Sequence, residues 1–129
     1  KAWGLTGELG QVISNLIENA IDAVGQDGRI RLRARDINGG ESVQISVSDN
    51  GSGMPPEIAK RIFEPFFTTK NSRGSGLGLW VTRGIVEKHD GSIRVRTTQS
   101  GKRHGAIFTV ILPRGMSAKI EEKTALSAD

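Results

Sequence analysis

The sequence predicts an α/β fold, a two-layer sandwich in which a mixed β-sheet carries helices packed on one face. Apolar residues recur every three or four positions in two segments, which predicts amphipathic helices at about Glu8–Val24 and Leu79–His89. Apolar residues alternate with polar ones in four others, which predicts strands at about Arg29–Asp36, Ser42–Asp49, Ser92–Thr97 and Ala106–Leu112. The strands come in consecutive pairs and each pair follows a helix, so one sheet with helices on a single side fits best.

The connecting segments support this order of elements. Lys1–Gly10 is expected to be an irregular lead-in, and an NGG turn is expected to join the first two strands. The stretch DNGSGMPPE is too rich in glycine and proline for regular structure and leads into a short helix at about Pro56–Phe63. Residues 1–113 therefore form one domain, and the charged, aperiodic residues 114–129 are expected to be a tail or linker.

The composition is that of a soluble globular chain, with 36% apolar and 25% charged residues among 129. No apolar run approaches the roughly 20 residues that span a bilayer. The absence of cysteine excludes disulfides and thiolate metal sites, which favours the cytoplasm. The net charge of +4 is scattered, and Arg29–Arg35 alternates basic with apolar residues, as in a half-buried strand with one solvated face. Since aromatic residues make up only 5%, neither a nucleic-acid footprint nor a base-stacking platform is expected.

Two asparagines lie at the edge of the first helix's apolar face, where a helix that only packs would carry leucine or alanine. Asn15, Asn19 and Asp22 fall within about 60° of one another around the helix. They can satisfy backbone groups of a neighbouring loop, since a buried carboxamide needs hydrogen-bond partners. Alternatively, a carboxamide oxygen is a neutral, hard ligand that suits a Mg²⁺ ion holding several waters and phosphate oxygens. The helix alone leaves both interpretations open.

A glycine-rich stretch, GSGLGL, comes directly before the second predicted helix. Gly74, Gly76 and Gly78 would let bare backbone N–H groups at that helix start approach an anion such as phosphate. A flexible linker explains most strings of this kind equally well. The stretch lacks the strand–turn–helix context of a dinucleotide site, and no Gly-Lys-Ser/Thr follows as in a Walker loop.

Two charged residues have similarly open roles. Asp49 ends a strand and opens DNGSG, so it can cap a turn. Alternatively, its carboxylate accepts a hydrogen bond from the amino group of a bound ring, for which Gly51 and Gly53 leave room. Lys70 follows three phenylalanines in FEPFFTTK and is either a solvated charge or a phosphate contact.

Four of these stretches occur in a fixed order, NLIENAIDA, DNGSGM, FEPFFTTK and GSGLGL. They resemble the N, G1, F and G2 boxes of the catalytic, ATP-binding domain of histidine kinases, and the likeness covers about Gln11 to Pro113. These kinases share a superfamily with gyrase B subunits, mismatch-repair ATPases and heat-shock chaperone ATPases. The resemblance implies a Bergerat-type ATP-binding fold with a mobile lid over the nucleotide. The few residues between FFTTK and the glycines are similar to the nitrogen- and oxygen-sensor subgroup, in which this lid is short.

The resemblance also implies roles for individual residues. Asn19 resembles the ligand of Mg²⁺ and Asn15 its partner one turn earlier, while Asp49 resembles the acceptor of the adenine amino group. Phe63 and Phe67 resemble aromatics at the base of the lid, and catalytic roles fall to Asn15, Asn19 and Lys70. The full set expected to contact ATP is Asn15, Asn19, Asp22, Asp49, Gly51, Gly53, Thr68, Thr69, Lys70, Arg73, Gly74, Ser75, Gly76, Leu77, Gly78 and Leu79.

Two departures from related patterns refine these expectations. Many histidine kinases carry lysine where this chain has Asp22, so Lys70 and Arg73 are candidates for the compensating positive charge. Hydrolysing relatives carry glutamate one turn before the Mg²⁺ ligand, whereas this chain has Asn15, which cannot accept a proton. Glu18 points about 100° away around the helix. A site without a water-activating base is expected to spare the γ-phosphate for another acceptor.

That acceptor is expected to be a histidine on a separate helical hairpin. The two histidines of the chain, His89 and His104, are expected to be structural or solvated. The chain is therefore expected to be the catalytic domain of a bacterial, ATP-dependent protein-histidine kinase, monomeric by itself and cytoplasmic, or the cytosolic part of a membrane-anchored sensor. Its partners would be the hairpin, in the same or a partner kinase, and a response regulator. The alternatives are an ATP-gated conformational ATPase and a serine kinase of the anti-sigma type.

Overall fold

The computed structural model describes residues 2–67, 77–99 and 104–113, with side chains from residue 7 onward. Within these ranges the chain forms three α-helices, one short 3₁₀ helix (Asn38–Gly40) between the first two strands, and four strands. In chain order the α-helices and strands are α1 (Ala2–Ala23), β1 (Ile30–Ile37), β2 (Ser42–Asp49), α2 (Pro56–Ala59), α3 (Gly78–Lys88), β3 (Ser92–Thr98) and β4 (Gly105–Pro113). The predicted tail, residues 114–129, lies outside the described residues.

The strands form one sheet in the order β1-β2-β4-β3, and the two-layer α/β class predicted from the sequence is confirmed. The expectation of a mixed sheet was wrong for the described strands, because all three pairings are antiparallel. β1–β2 and β3–β4 are hairpins, and the long connection between them returns the chain so that β4 runs against β2 in the opposite direction. Antiparallel sheets often pack only one face, which agrees with helices on a single side.

The core lies between this sheet and the helices α1 and α3. Across the sheet, Val47, Phe108 and Val95 stand side by side in register, and Phe63 packs its ring edge-on against Phe108 with 6.3 Å between centroids. The buried apolar residues are Val12, Leu16, Ala20, Ile45, Val47, Ile62, Val86, Ala106, Phe108, Val110 and Leu112. In α1, Val12, Leu16 and Ala20 are thus buried as the apolar periodicity predicted, whereas Ile21 of the same stripe is 54% exposed.

The largest difference from the predicted elements is at the start of α1. The helix begins at Ala2, so the expectation of an irregular lead-in was wrong. Tertiary contacts hold these first turns, because Leu9 packs against the core and Glu8 accepts hydrogen bonds from Lys88 and His89 at 2.8 and 3.1 Å. α2 is shorter than predicted and gives way to turns after Ala59.

The sheet face turned away from the helices is basic. On β1 the outer face carries Arg31, Arg33 and Arg35, because the residues between them pair with the inward-facing residues of β2. The same outer face carries Arg94 and Arg96 on β3. β1 is exposed along almost its whole length, including Leu32 at 50%, so the predicted half-buried strand is instead an uncovered sheet edge. None of the helices in the described ranges has the length and apolar character needed to cross a membrane.

Candidate functional site

Asn15 joins α1 to the start of α3. Its Nδ2 donates to the backbone oxygen of Gly78 at 3.1 Å and to Oγ1 of Thr82 at 3.0 Å. Thr82 is completely buried, and its hydroxyl in turn donates to the same Gly78 oxygen at 2.8 Å. Since a carbonyl oxygen only accepts, the amide nitrogen of Asn15 faces α3 and its Oδ1 is directed elsewhere. The structure thus brings together two predicted site residues that are 63 positions apart.

The N-terminus of α3 has no side-chain cap among the described residues. Leu77 occupies the N-cap position, where its apolar side chain cannot accept from the N–H groups of the first turn, and that turn contains no acidic residue. Uncapped N–H groups and the helix dipole together favour negative charge at this point. Leu79, two residues further on, packs against the core and fixes the first turn.

Asn19 lies one helical turn beyond Asn15 and is half-buried. In the described part of the chain its carboxamide has no hydrogen-bond partner, in contrast to Asn15. Asp22 lies exposed on the following turn. Asn19 therefore offers an uncommitted oxygen between the α3 junction and the end of α1.

Asp49, the last residue of β2, is half-buried and receives backbone N–H groups on its carboxylate. Gly51 N donates to Oδ1 at 2.8 Å, and the backbone N–H of Ala106 on the neighbouring strand is a second group that lowers the pKa of the carboxyl group. Burial raises the pKa of Asp49 above its ordinary value, and the two N–H donors offset part of that rise. Its carboxylate remains a hydrogen-bond acceptor with unused lone pairs, as the predicted contact with a ring amino group requires.

The loop after Asp49 is packed tightly against two other elements. A Cβ on Gly51 would lie 2.4 Å from the backbone oxygen of Ala23, the last residue of α1. A Cβ on Gly53, whose φ is +74°, would lie 2.1 Å from the oxygen of Thr98. Glycine is therefore required at both positions, as the sequence indicated for a different reason, namely room for a ring.

α1 connects the two parts of the site. Ala23 touches the loop after Asp49, and Asn15 touches the start of α3. Eight helical residues separate these contacts, a rise of about 12 Å, with Asn19 halfway between them. The predicted base-binding residues and the predicted phosphate-binding helix start are thus held at opposite ends of one helix segment.

The aromatic residues near the end of the described segment 2–67 have different environments. Phe63 packs on Phe108, and Phe67 lies under the guanidinium of Arg61 at 4.4 Å, so both are anchored. Phe66 is 73% exposed, with φ at +67°. Seven predicted site residues lie outside the described residues: Thr68, Thr69, Lys70, Arg73, Gly74, Ser75 and Gly76.

Three polar residues around the site were not singled out from the sequence as site residues. Thr97 Oγ1 accepts from Met54 N at 2.8 Å and donates to Gly105 O at 3.1 Å, and His104 Nδ1 lies 2.6 Å from Gly51 O. The third is Thr82. Its position on the apolar face of α3 was a usable signal, because a hydroxyl there needs a partner. Bonds from Thr97 and His104 to distant backbone groups leave no pattern in the sequence.

The donor set fits Mg-ATP. Within the described ranges no three histidine or acidic side chains converge as a metal site. The side chain offered along α1 is instead the neutral amide of Asn19, which suits a Mg²⁺ ion that keeps its waters and takes other ligands from phosphates. The start of α3 fits the phosphates, and the half-buried carboxylate of Asp49 fits an amino group at the edge of a base.

Comparisons with known proteins identify the family of the chain. The family model described as "Histidine kinase-, DNA gyrase B-, and HSP90-like ATPase" matches residues 4–116. The sensor histidine kinase ZraS of Salmonella typhimurium is 46% identical over 105 residues, which is 81% of this chain and 22% of ZraS. The chain thus spans less than a quarter of that relative's length.

Solved structures of histidine kinases share the fold. A mycobacterial sensor histidine kinase, MprB, superposes with a TM-score of 0.74 at 31% identity, covering 83% of this chain and 72% of that one. Full-length ShkA in complex with AMPPNP gives 0.72 at 34% identity over 83% and 21% of the two chains. ThkA in complex with the response regulator protein TrrA gives 0.67 at 34% identity over 84% and 29%. The chain therefore belongs to the histidine kinase-, DNA gyrase B- and HSP90-like ATPase family, among its sensor histidine kinase members.

Proposed function

We propose that this domain binds Mg-ATP and donates its γ-phosphoryl group to a histidine on a separate helical hairpin, as part of two-component signalling. The observation that carries the proposal is the hydrogen bond of Asn15 to the backbone oxygen of Gly78. It ties the helix that carries the candidate metal ligand to the uncapped helix start that suits phosphates. Similarity to sensor histidine kinases supports the reaction class, and these contacts support the arrangement.

Nucleotide binding divides between the two ends of the site. Asp49 accepts the adenine amino group, and the N–H groups at the start of α3 receive phosphate oxygens. Asn19 would hold Mg²⁺ through its amide oxygen, and the ion would neutralise phosphate charge when bound. Full-length ShkA was solved in complex with AMPPNP, an ATP analogue, which supports the same ligand class for this chain.

The transfer itself needs positioning and charge neutralisation rather than a base from this domain. The bond between the γ-phosphorus and the bridging oxygen breaks, a bond to a histidine ring nitrogen forms, and ADP leaves with the bridging oxygen. The ring proton passes to a group on the hairpin side. Lys70 and Arg73 are our candidates for stabilising the transferring charge, and their alanine variants are expected to lower the transfer rate more than ATP affinity.

The bonding of Asn15 argues against a hydrolysing ATPase. A water-activating glutamate at this position would present only acceptor oxygens to the Gly78 carbonyl, where Asn15 donates. Glu18 is exposed on another side of α1 and does not replace it. The described site thus favours a kinase that keeps the γ-phosphoryl group for a protein acceptor.

The wider context of the reaction is also a proposal. ThkA was solved in complex with the response regulator protein TrrA, and we expect a response regulator to receive the phosphoryl group downstream of this domain. A cytoplasmic location follows from the ATP that the reaction consumes. The domain by itself is expected to be monomeric.

The test mixes the purified domain, γ-labelled ATP, Mg²⁺ and a histidine hairpin from a related kinase. Label on the hairpin supports the proposal, free phosphate would indicate a hydrolysing ATPase, and neither product would indicate a serine kinase or a binding module. Asn19→Ala is expected to abolish transfer and weaken Mg-ATP binding by at least about tenfold. Gln11→Ala removes an exposed carboxamide from the same helix and is expected to leave both unchanged. Tight Mg-ATP binding by Asn19→Ala would contradict the proposal.

A further inference from the structure

His104 makes a hydrogen bond to the loop that carries the predicted base pocket. Its Nδ1 lies 2.6 Å from the backbone oxygen of Gly51, 53 positions away in the sequence. Because a carbonyl oxygen only accepts, Nδ1 carries the proton and donates. Both the neutral Nδ1–H form and the doubly protonated ring can make this bond, so the contact does not depend on the ring's charge.

Gly51 transmits this contact to Asp49. Its N–H donates to Asp49 Oδ1 at 2.8 Å, while its carbonyl accepts from His104. Gly51 is buried, and a Cβ at this position would lie 2.4 Å from the oxygen of Ala23. The glycine is thus held on three sides, and His104 supplies one of them.

The two residues after His104 also bear on Asp49. A Cβ on Gly105, whose φ is +143°, would lie 2.0 Å from the backbone oxygen of Asp49, and Ala106 is the cross-strand partner of Asp49 between β4 and β2. Gly105 and Ala106 therefore contact Asp49 directly, and His104 contacts it through the peptide of Gly51. The opposite side of the same loop is held by Thr97, which accepts from Met54 N.

We infer that His104 is a positioning residue that aims the Asp49 carboxylate at the purine ring through Gly51, and thereby sets the preference for adenine over guanine. This inference rests on the proposed function. Adenine presents an amino group where guanine presents a carbonyl oxygen, so a fixed carboxylate attracts the first and repels the second. Selectivity then depends on how firmly the carboxylate is held, because a carboxylate that can turn aside loses the attraction and relieves the repulsion.

The test measures dissociation constants for Mg-ATP and Mg-GTP, together with the melting temperature of the nucleotide-free domain. His104→Ala is expected to weaken ATP binding about five- to tenfold, the range for one hydrogen bond, without weakening GTP binding. The preference for ATP therefore shrinks by the same factor. A role in stability alone would instead lower the melting temperature and leave the ATP-to-GTP ratio as in the parent.

Two further substitutions at the same position separate geometry from bulk. The amide nitrogen of asparagine is attached two bonds from Cβ, like Nδ1 of histidine, whereas that of glutamine is one bond farther. His104→Asn is therefore expected to restore most of the ATP preference and His104→Gln is not. If His104→Ala does not fold, His104→Gln serves as the disrupting variant.

His89 provides a matched control. It bonds to Glu8 next to the start of β3, whereas Thr97 and His104 lie at the other end of the β3–β4 hairpin. His89→Ala is expected to lower the melting temperature and keep the parental ATP-to-GTP ratio. A parent that binds neither triphosphate overturns the proposed function and this inference with it. If the parent prefers ATP and both His104→Ala and His104→Gln keep its ATP-to-GTP affinity ratio, this inference alone is overturned.

Discussion

The two ends of the candidate site are held by different kinds of contact. At the base end, backbone groups of the loop after β2 bond to the side chains of Asp49, Thr97 and His104, and glycines there lie too close to neighbouring carbonyls for any side chain. At the phosphate end, within the described residues, one carboxamide joins α1 to α3 through Gly78 and Thr82. The base end thus combines side-chain hydrogen bonds with close backbone packing, whereas the described part of the phosphate end is joined by side-chain hydrogen bonds alone.

The largest expected effect comes from the residue on which the base end converges. Asp49→Asn keeps an oxygen for the Gly51 N–H but places an amide donor where the adenine amino group must bind. Mg-ATP affinity is expected to fall about 100-fold or more, because two donors then face each other without acceptors. Titration calorimetry with ATP and GTP checks the loss, and an ATP affinity within threefold of the parent would remove Asp49 from the site.

The same substitution separates function from stability. Burial raises the pKa of Asp49, so the folded parent binds this proton more readily than the unfolded chain does. The free energy of unfolding of the parent is therefore expected to rise as the pH falls from above the raised pKa of Asp49 towards the ordinary aspartate value. Over the same range the carboxylate becomes protonated, so ATP binding is expected to weaken. The Asp49→Asn variant lacks both responses, and its nucleotide-free melting temperature at neutral pH is expected to equal or exceed that of the parent.

The next largest effect tests whether the base end depends on its close backbone packing. Gly105→Ala places a Cβ against the Asp49 carbonyl at a φ of +143°, and is expected to cost about 2–4 kcal/mol of unfolding free energy. Gly84→Ala is the matched control, since Gly84 is exposed within α3 and a Cβ there meets nothing within 4 Å. That change is expected to add about 0.5–1 kcal/mol. Urea unfolding measures both, and equal effects of the two substitutions would contradict the packing argument.

A smaller effect is expected at the phosphate end. Thr82→Val removes a buried hydroxyl that both accepts from Asn15 and donates to Gly78, and is expected to cost about 1–2 kcal/mol. Because the change lies far from the base, affinities for ATP and GTP are expected to fall by the same factor. Thr109→Val, on the outer face of β4, is the control and is expected to change stability by under about 0.5 kcal/mol. A changed ATP-to-GTP ratio in Thr82→Val would show that the two ends are not independent.

The smallest effect concerns the anchor of the first turns of α1, away from both ends. Hydrogen bonds from Lys88 and then His89 lower the pKa of Glu8, so its contribution to stability is present above the unfolded-state pKa of glutamate. It is lost as the pH falls through the lowered pKa of the folded state. Glu8→Gln is expected to cost about 0.5 kcal/mol at neutral pH and less in high salt. The exposed Glu41→Gln is the control, and a deficit for Glu8→Gln that persists at pH 2 would contradict the ion-pair explanation.

The sequence predicted an element correctly where local residue patterns determine the structure, and missed it where distant contacts do. β2 has the predicted bounds and α3 differs by one residue at each end, because apolar alternation, helical periodicity and flanking turn residues all agree there. The start of α1 was missed because contacts of Glu8 with Lys88 and His89 fix it, and those partners are 80 and 81 positions away. Strand direction was also missed, since the sheet's pairing depends on the path of the whole chain.

The candidate site followed the same rule. Asn15, Asp49, Gly51 and Gly78 stand in recognisable motifs, and the structure brings Asn15 to Gly78 and Gly51 to Asp49. His104 was expected to be structural or solvated, because a single histidine beside a glycine gives no hint of a carbonyl 53 positions away. Motifs name the groups that meet a ligand, whereas the residues that orient those groups become visible only in the fold.

The arginines of β1 have a consequence for the behaviour of many copies in solution. An uncovered strand edge offers unpaired backbone groups to which the same strand of another copy could add. Arg31, Arg33 and Arg35 lie along that edge, so two copies approaching side by side would bring three guanidinium groups from each into close range. At low ionic strength, Coulomb repulsion between these groups opposes the stacking of copies into fibres. Replacing the three arginines by valine is expected to make the β1 edge prone to aggregation.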